Sequence, residues 1–212
     1  MASSPRERIV LRPEGMYCPA GRFYIDPWRP VETAVITHGH GDHARIGMGA
    51  YHAATESLPI LRWRLGEQTL HAHDYGADFR LGEARVSLHP AGHVLGSAQV
   101  RVEVDGEVWV ASGDYKRQPD PTCAPFEVVP CDVFITEATF ALPVYRWPDT
   151  ADEVARIVAW RRACAARGRA AVLYVYALGK AQRLLAELTG FDEPPVLLHG
   201  AILFVSDTDN NR

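Results

Sequence analysis

Four metal-ligand side chains lie close together in the segment 37–43, which reads THGHGDH. Neutral imidazole and carboxylate groups are ligands that zinc accepts. His38 and His40 can turn their imidazoles to the same side, while Asp42 and His43 follow on the next turn and can face a second ion. The intervening glycines let the backbone approach closely. This density of ligands predicts the first half of a metal site. The alternative is a histidine-rich surface loop that binds nothing, but such a loop would not need three histidines and an aspartate within six residues.

Two later segments carry further ligand types. His93 lies in the glycine-flanked loop PAGHVLGSA, and Asp114 follows the apolar run VWVA in the segment SGDY. Taken alone, such a histidine is more often a hydrogen-bonded structural residue, and such an aspartate is usually a turn residue. Together with the first cluster, they supply a third imidazole for one ion and a carboxylate able to bridge two ions.

Short strands are predicted to position these ligands, because brief apolar or alternating runs fill the first 140 or so residues. Asp105-Gly106 lies between VRVEV and EVWVA and predicts a two-residue hairpin, since both central positions of that turn favour positive φ. The predicted strands are Arg22 to Asp26, Thr33 to Thr37, Ala84 to His89, Ala98 to Val104, Glu107 to Ala111 and Val133 to Thr136.

The pattern changes after Pro148. Helical spacing of apolar residues predicts a helix from Asp149 to Gly168, and a second helix is predicted from Gly179 to Thr189. A buried strand AAVLYVYAL is predicted between them, and a short strand Pro195 to Leu198 after them. This alternation indicates an α/β unit, so the predicted domains are residues 1–147 and 148–212.

The bulk composition limits the function classes. With 212 residues, 47% of them hydrophobic, the chain can bury a substantial core. A net charge of −4 gives no global attraction for nucleic acid, so polyanion binding must come from local patches or metal ions. The four cysteines form no CxxC pair, and no signal peptide or membrane-length apolar stretch is visible, so reduced thiols and a cytoplasmic location are predicted.

The motif HxHxDH, met by His38, His40, Asp42 and His43, resembles the signature of the metallo-β-lactamase superfamily. The phrases AGHVLGSA, SGDYKR and TEATF resemble its β-CASP nuclease branch. Within that branch, GMYCPAGRFYIDPWRPVETAVITHGHGDHA and YALGKAQRLL are most similar to the bacterial DNA ligase-associated exonucleases. The resemblance covers about Leu11 to Ala201.

The resemblance implies an α/β fold, a metallo-β-lactamase-type αβ/βα sandwich followed by the start of a β-CASP cap. It implies two zinc ions, one held by His38, His40, His93 and Asp114, the other by Asp42, His43 and Asp114. It also implies that Asp26 orients the histidine-rich loop from behind, and that Glu137 matches an acidic motif that partners a catalytic histidine. The residues implied to act in catalysis are Asp42, Asp114 and Glu137.

The chain departs from the family pattern in one respect. Two further histidine motifs, of the SDHAD and THG kinds, follow the cap in relatives, and neither is found here. His199-Gly200-Ala201 superficially resembles the second motif but follows YALGKAQRLL too closely. The resemblance therefore implies a C-terminally truncated, incomplete sandwich with impaired activity. Six basic residues either guide a nucleic-acid strand or form a solvated helix face: Arg161, Arg162, Arg167, Arg169, Lys180 and Arg183.

The leading hypothesis is a zinc-dependent DNA exonuclease of DNA repair, with DNA or RNA as the substrate and a DNA ligase as a partner. One alternative is a small-molecule metallohydrolase of the lactonase or glyoxalase kind, which shares HxHxDH but not the combination of AGHVLGSA with GKAQ. The other is a non-catalytic metal-binding or nucleic-acid-binding remnant. Two zinc ions per chain would argue against the remnant.

Overall fold

The computed structural model describes residues 7–191 and 195–209. The chain divides into two compact units, the first comprising the residues up to Glu137 together with those from Thr208 onward, and the second running from Ala138 to Asp207. The boundary predicted from sequence, after Trp147, lies further along the chain. The identity of the second unit as a cap domain stays a prediction.

The first unit contains two sheets. Their strands are β1 Val10–Arg12, β2 Gly15–Cys18, β3 Phe23–Ile25, β4 Thr33–Val35, β5 Ala50–Ala54, β6 Leu70–His73, β7 Phe79–Leu81, β8 Ala84–Pro90, β9 Ala98–Val104, β10 Glu107–Ala111 and β11 Val133–Ile135. In the first sheet, β1 to β3 pair antiparallel and β3 to β6 pair parallel, in chain order. In the second, the order is β11-β10-β9-β8-β7, and the β10–β11 pair is parallel while the others are antiparallel.

The alternation of side chains along β4 explains how the layers pack. Val35 belongs to a buried cluster that also contains Leu88 of β8 and Val100 of β9, so the two sheets share one apolar core. Ala34 points to the opposite face, where it clusters with Leu61 of helix α1, Leu58–Leu65. The first sheet is therefore covered on both faces, and the predicted α/β class is confirmed.

The strands that position the ligands agree with the sequence-based predictions within one or two residues, and β9 and β10 agree at both ends. The predicted hairpin is also confirmed, because Asp105 and Gly106 have φ values of 53° and 79° between paired strands. Five strands and α1 were not predicted: β1, β2, β5, β6 and β7.

The second unit is helical in its described residues, with α2 at Thr150–Ala165, α3 at Lys180–Leu188 and α4 at Gly200–Asp209. Both predicted helices are confirmed, and Asp149 caps α2 by accepting a hydrogen bond from the Ala151 backbone N–H at 2.8 Å. The predicted strands 170–178 and 195–198 are wrong. A strand needs a neighbour for its backbone hydrogen bonds, and none pairs with either segment within the described part of the chain.

Two simpler observations concern the same described residues. No disulfide joins the four cysteines. None of the helices is both long and apolar enough to cross a membrane.

Candidate metal centre

The predicted ligands meet because the strands of the two sheets end at one place. His38 and His40 follow β4, His93 lies between β8 and β9, and Asp114 follows β10. The two sheets are joined at this point by a 2.7 Å hydrogen bond from the Ala98 backbone N–H to the carbonyl oxygen of Thr37. The residues predicted from three separate segments therefore form one site.

Gly113 permits this approach. Its φ is +56°, and a Cβ built on it would lie 2.6 Å from the Cβ of Thr37. Any side chain at this position would push the end of β10 away from the end of β4. Asp114 can reach the histidine loop because residue 113 is a glycine.

Three imidazoles and one carboxylate converge as a first ligand set. The Nδ1 atom of His40 lies 3.0 Å from Nε2 of His38 and 3.3 Å from Nε2 of His93. Asp114 Oδ2 lies 3.9 Å from Nε2 of His38 and 3.7 Å from Nε2 of His93. Four ligands at zinc bond lengths around a tetrahedral centre are separated by about 3.3 Å. The observed spacings bracket this value, so these four side chains fit a zinc ion.

The tautomer of His38 is fixed from behind. Thr37 Oγ1 donates its proton to Asp26 Oδ2 at 2.5 Å, and it lies 3.0 Å from Nδ1 of His38. Because the hydroxyl proton is already used, Oγ1 accepts from the Nδ1–H of His38, which leaves an unprotonated Nε2 facing the site. Burial, followed by repulsion from the neighbouring histidines, lowers the pKa of His38 well below its ordinary value, so this ring is neutral at pH 7.

His43 is oriented by the same carboxylate. Its Nδ1 lies 2.7 Å from Oδ2 of Asp26, whose side chain is almost fully buried. Burial alone would lower the pKa of His43, but the hydrogen bond to Asp26 and the charges of Asp26, Asp114 and Asp42 outweigh it and raise the pKa to about 9. Since Asp26 accepts at Nδ1, the Nε2 of His43 is the atom available to a metal ion.

Asp114 lies between the two histidine groups. While its Oδ2 faces His38 and His93, its Oδ1 lies 3.5 Å from Nε2 of His43. Burial raises the pKa of Asp114, while the nearby His43 lowers it in part. Asp42 Oδ2 lies 3.8 Å from Nε2 of His43, but the Asp42 side chain is 74% exposed. The predicted second ligand set of Asp42, His43 and Asp114 is therefore more open than the first.

Comparisons with known proteins identify the family of this site. No protein-family profile matches the chain. It is 31% identical over 189 residues to the Probable DNA ligase of Opitutus terrae, covering 87% of this chain and 18% of that protein. It is 32% identical over 139 residues to Endoribonuclease ysh1 of Aspergillus fumigatus, covering 64% and 16% respectively. It is 34% identical over 109 residues to Cleavage and polyadenylation specificity factor 73 of Drosophila melanogaster, covering 50% and 16%.

The chain belongs to the metallo-β-lactamase superfamily and to its β-CASP nuclease branch. The family predicted from the sequence is thereby confirmed. The chain spans less than a fifth of the length of these β-CASP relatives.

Glu137 lies beside the β-CASP metal centre. Its Oε1 accepts a 3.1 Å hydrogen bond from the backbone N–H of Tyr115, the residue after Asp114, and its own N–H donates to Ser112 Oγ at 3.3 Å. Burial raises the pKa of Asp114, and the Glu137 charge adds to this rise. Burial and the charge of His40 lower the pKa of His93 to about 4, and the Glu137 charge partly opposes this fall. The Nδ1 of His199 accepts a hydrogen bond from the backbone N–H of Ala201, so this side chain contacts the start of α4.

Two residues of this centre were missed from the sequence. Thr37 precedes the first ligand and transmits the orientation set by Asp26 to His38. Arg64, on α1, donates from Nε to the carbonyl oxygen of Gly39 at 2.6 Å and thus fixes the loop between two ligands. Only the position of Thr37 directly before HxHxDH could have suggested the first role, and no signal in the sequence suggests the second.

Proposed function

We propose that the chain carries the two-zinc centre of a nuclease that hydrolyses phosphodiester bonds in DNA. The observation that carries the proposal is the position of Asp114, with one oxygen facing His38 and His93 and the other facing His43. A carboxylate shared in this way suits two neighbouring ions. In this proposal the first ion takes His38, His40, His93 and Asp114, and the second takes Asp42, His43 and Asp114.

Zinc ions, when bound, supply Lewis-acid stabilisation of the phosphate charge and a nucleophile at neutral pH. The chain's own residues prepare the centre for them. Thr37 holds the unprotonated Nε2 of His38 towards it, and Asp26 holds the His43 ring with its Nε2 towards it. The rings therefore need little reorientation on binding, although His43 must release its Nε2 proton. The Glu137 carboxylate, held by the Tyr115 N–H, adds negative charge beside Asp114 and is suited to partner a proton-transferring group.

DNA is favoured as the substrate by the extent of the matches. The match to the protein named Probable DNA ligase covers 87% of the chain, whereas the match to the fungal endoribonuclease covers 64%. The name of this relative also supports the proposal that the chain works with a DNA ligase. We propose further that the nuclease is an exonuclease of DNA repair. RNA is the alternative substrate within the same chemistry.

The test is hydrolysis of end-labelled single-stranded DNA, double-stranded DNA and RNA by the purified, zinc-loaded chain. Shortening of DNA that is abolished both by a chelator and by His40→Ala is the expected result. His89→Ala is a matched control, because this histidine bonds Ser87 and Glu127 and lies outside the ligand sets.

Two outcomes would contradict the proposal. Cleavage of a lactone or thioester without any cleavage of nucleic acid would favour a small-molecule metallohydrolase. A folded, zinc-loaded chain that cleaves neither class of substrate would favour a non-catalytic metal-binding protein, consistent with the exposure of Asp42.

A further inference from the structure

A groove of about 400 Å³ lies beside the metal loop in the first unit. One wall is the segment after β3, the second is the metal loop from Gly41 onward, and the third is α1. The lining includes Trp28, Arg29, Arg45, Ile46 and Arg64. Its volume lies within the range of ligand-binding clefts.

The groove concentrates positive charge on a chain whose net charge is −4. Three of its lining residues are arginines: Arg29, Arg45 and Arg64. Within residues 7–191 and 195–209, none of these guanidinium groups forms an ion pair with a carboxylate. Arg45 donates to the carbonyl oxygen of Asp42 at 3.1 Å, and Arg64 donates to that of Gly39. Like charges that share a cleft repel one another, and an anion would relieve this repulsion.

Trp28 adds a flat apolar surface to the same groove. Its indole Nε1–H donates to the carbonyl oxygen of Pro13 at 2.6 Å, which fixes the ring, and the side chain remains 45% exposed. Arginine forks bind phosphate oxygens in pairs, and exposed aromatic rings stack on bases. An anion that also carries flat rings matches this lining better than a simple inorganic anion.

We propose that this groove binds a single-stranded stretch of the nucleic-acid substrate, with backbone phosphates on Arg29, Arg45 and Arg64 and a base on Trp28. The proposal rests on the proposed nuclease function and adds a substrate-positioning site to it. Gly41 and Ala44 line the groove and flank the ligands Asp42 and His43 in sequence, so a strand held there lies against the metal loop.

The binding step is measured apart from catalysis by fluorescence anisotropy, using a 3′-labelled oligothymidylate and the chain in chelator. Each phosphate contact to a single strand contributes about −0.7 to the slope of log affinity against log salt. Three contacts predict about an 18-fold loss of affinity between roughly 50 and 200 mM salt, and two contacts about a sevenfold loss.

Arg29→Ala and Arg45→Ala are each expected to weaken binding at low salt by about fivefold and to reduce the salt slope by about 0.7. Arg62→Ala, on the exposed side of α1 and outside the groove, is the matched control. Trp28→Ala is expected to weaken binding by about tenfold through loss of stacking, and Trp28→Phe to restore most of it. Thermal melting of each variant checks that the fold is retained.

Binding that is unchanged in Arg29→Ala, Arg45→Ala and Trp28→Ala relative to Arg62→Ala would overturn the proposal, and so would a chain that binds no oligothymidylate. Stronger binding of a duplex would overturn the single-strand assignment. Hydrolysis of bis(4-nitrophenyl) phosphate by the zinc-loaded chain separates the two proposals. If the small diester is cleaved but the groove variants bind oligothymidylate normally, only the proposal for the groove is refuted. If the diester is not cleaved but binding depends on the groove residues, only the proposed nuclease function is refuted.

Discussion

Replacing Asp26 by asparagine should weaken the binding of the second metal ion without removing any of its ligands. The carboxylate accepts three hydrogen bonds, from the Thr37 N–H at 2.8 Å, the Thr37 hydroxyl at 2.5 Å and the His43 ring at 2.7 Å. Asparagine can keep the oxygen that faces the Thr37 N–H, but its NH2 group then occupies the position of Oδ2. To accept from that group, a neutral His43 ring must carry its proton on Nε2, and Nε2 then has no lone pair to offer a metal ion.

The size of this effect is estimated from other metal sites in which a neighbouring residue orients a metal-binding histidine. Loss of a partner that orients a metal-binding histidine typically weakens metal binding about 10- to 100-fold, or about 1.4 to 2.7 kcal/mol. Competition with a chromophoric chelator should show this loss in the weaker of two zinc-binding steps for Asp26→Asn. Asp78→Asn is the control, since Asp78 pairs only with surface groups around Arg85.

An independent measurement follows the histidine itself. In the zinc-free wild-type chain, the His43 pKa of about 9 keeps the ring protonated at pH 7, and nitrogen NMR should show this form. In Asp26→Asn the His43 pKa should fall, because the carboxylate that raises it is gone while burial still lowers it. If Asp26→Asn binds both zinc ions as tightly as the wild type and leaves the His43 titration unchanged, the orienting role of Asp26 is wrong.

Two further predictions concern stability. Gly113→Ala should lower the free energy of unfolding in urea by about 2–5 kcal/mol, because its Cβ would overlap Thr37. Gly106→Ala is the control and should lower it by about 1–2 kcal/mol, because no atom lies within 4 Å of a Cβ built there. Equal losses in the two variants would contradict the close approach of Gly113 to Thr37. Burial and then repulsion from His71 and His73 lower the His52 pKa from 6.5 to about 4. The contribution of this ring to folding stability is therefore complete above pH 6.5 and is lost as the pH falls towards 4. His52→Gln should make the urea midpoint of unfolding less dependent on pH over this range. An unchanged pH dependence would show that His52 does not cause this loss of stability.

Local signals in the sequence predicted the parts of the fold that depend on neighbouring residues. The pair Asp105-Gly106 predicts its hairpin because the required positive φ values are a property of those two residues. Helix α1 was missed although Leu58, Leu61 and Leu65 have helical spacing. The buried Ile60 lies on the other side of the helix, and Pro59 interrupts the pattern without preventing a first helical turn.

Long-range pairing accounts for what the sequence could not predict. The link from Asp26 to Thr37 depends on the parallel register of β3 and β4, in which Ile25 lies opposite Val35. The segment 170–178 has the residue types of a buried strand, yet Tyr174 is 96% exposed there. Its apolar pattern alone does not supply the partner strand that such a structure needs.

The ligands themselves were found from the sequence because HxHxDH places four of them within six residues. The residue types also predicted that Asp114 could bridge two ions, while the assignment of ligands to each ion came from the resemblance. The sharing of Asp114 between two histidine groups is the structural claim on which the proposed chemistry depends. The groove arginines come from three separate segments, so no local motif unites them before the chain folds.

Crystallography of the zinc-soaked chain, with anomalous data at the zinc edge, tests that claim most directly. Two anomalous peaks about 3.5–4 Å apart are expected, one beside His38, His40 and His93 and the other beside His43, with Asp114 between them. A single peak, or two peaks that Asp114 does not bridge, would contradict it.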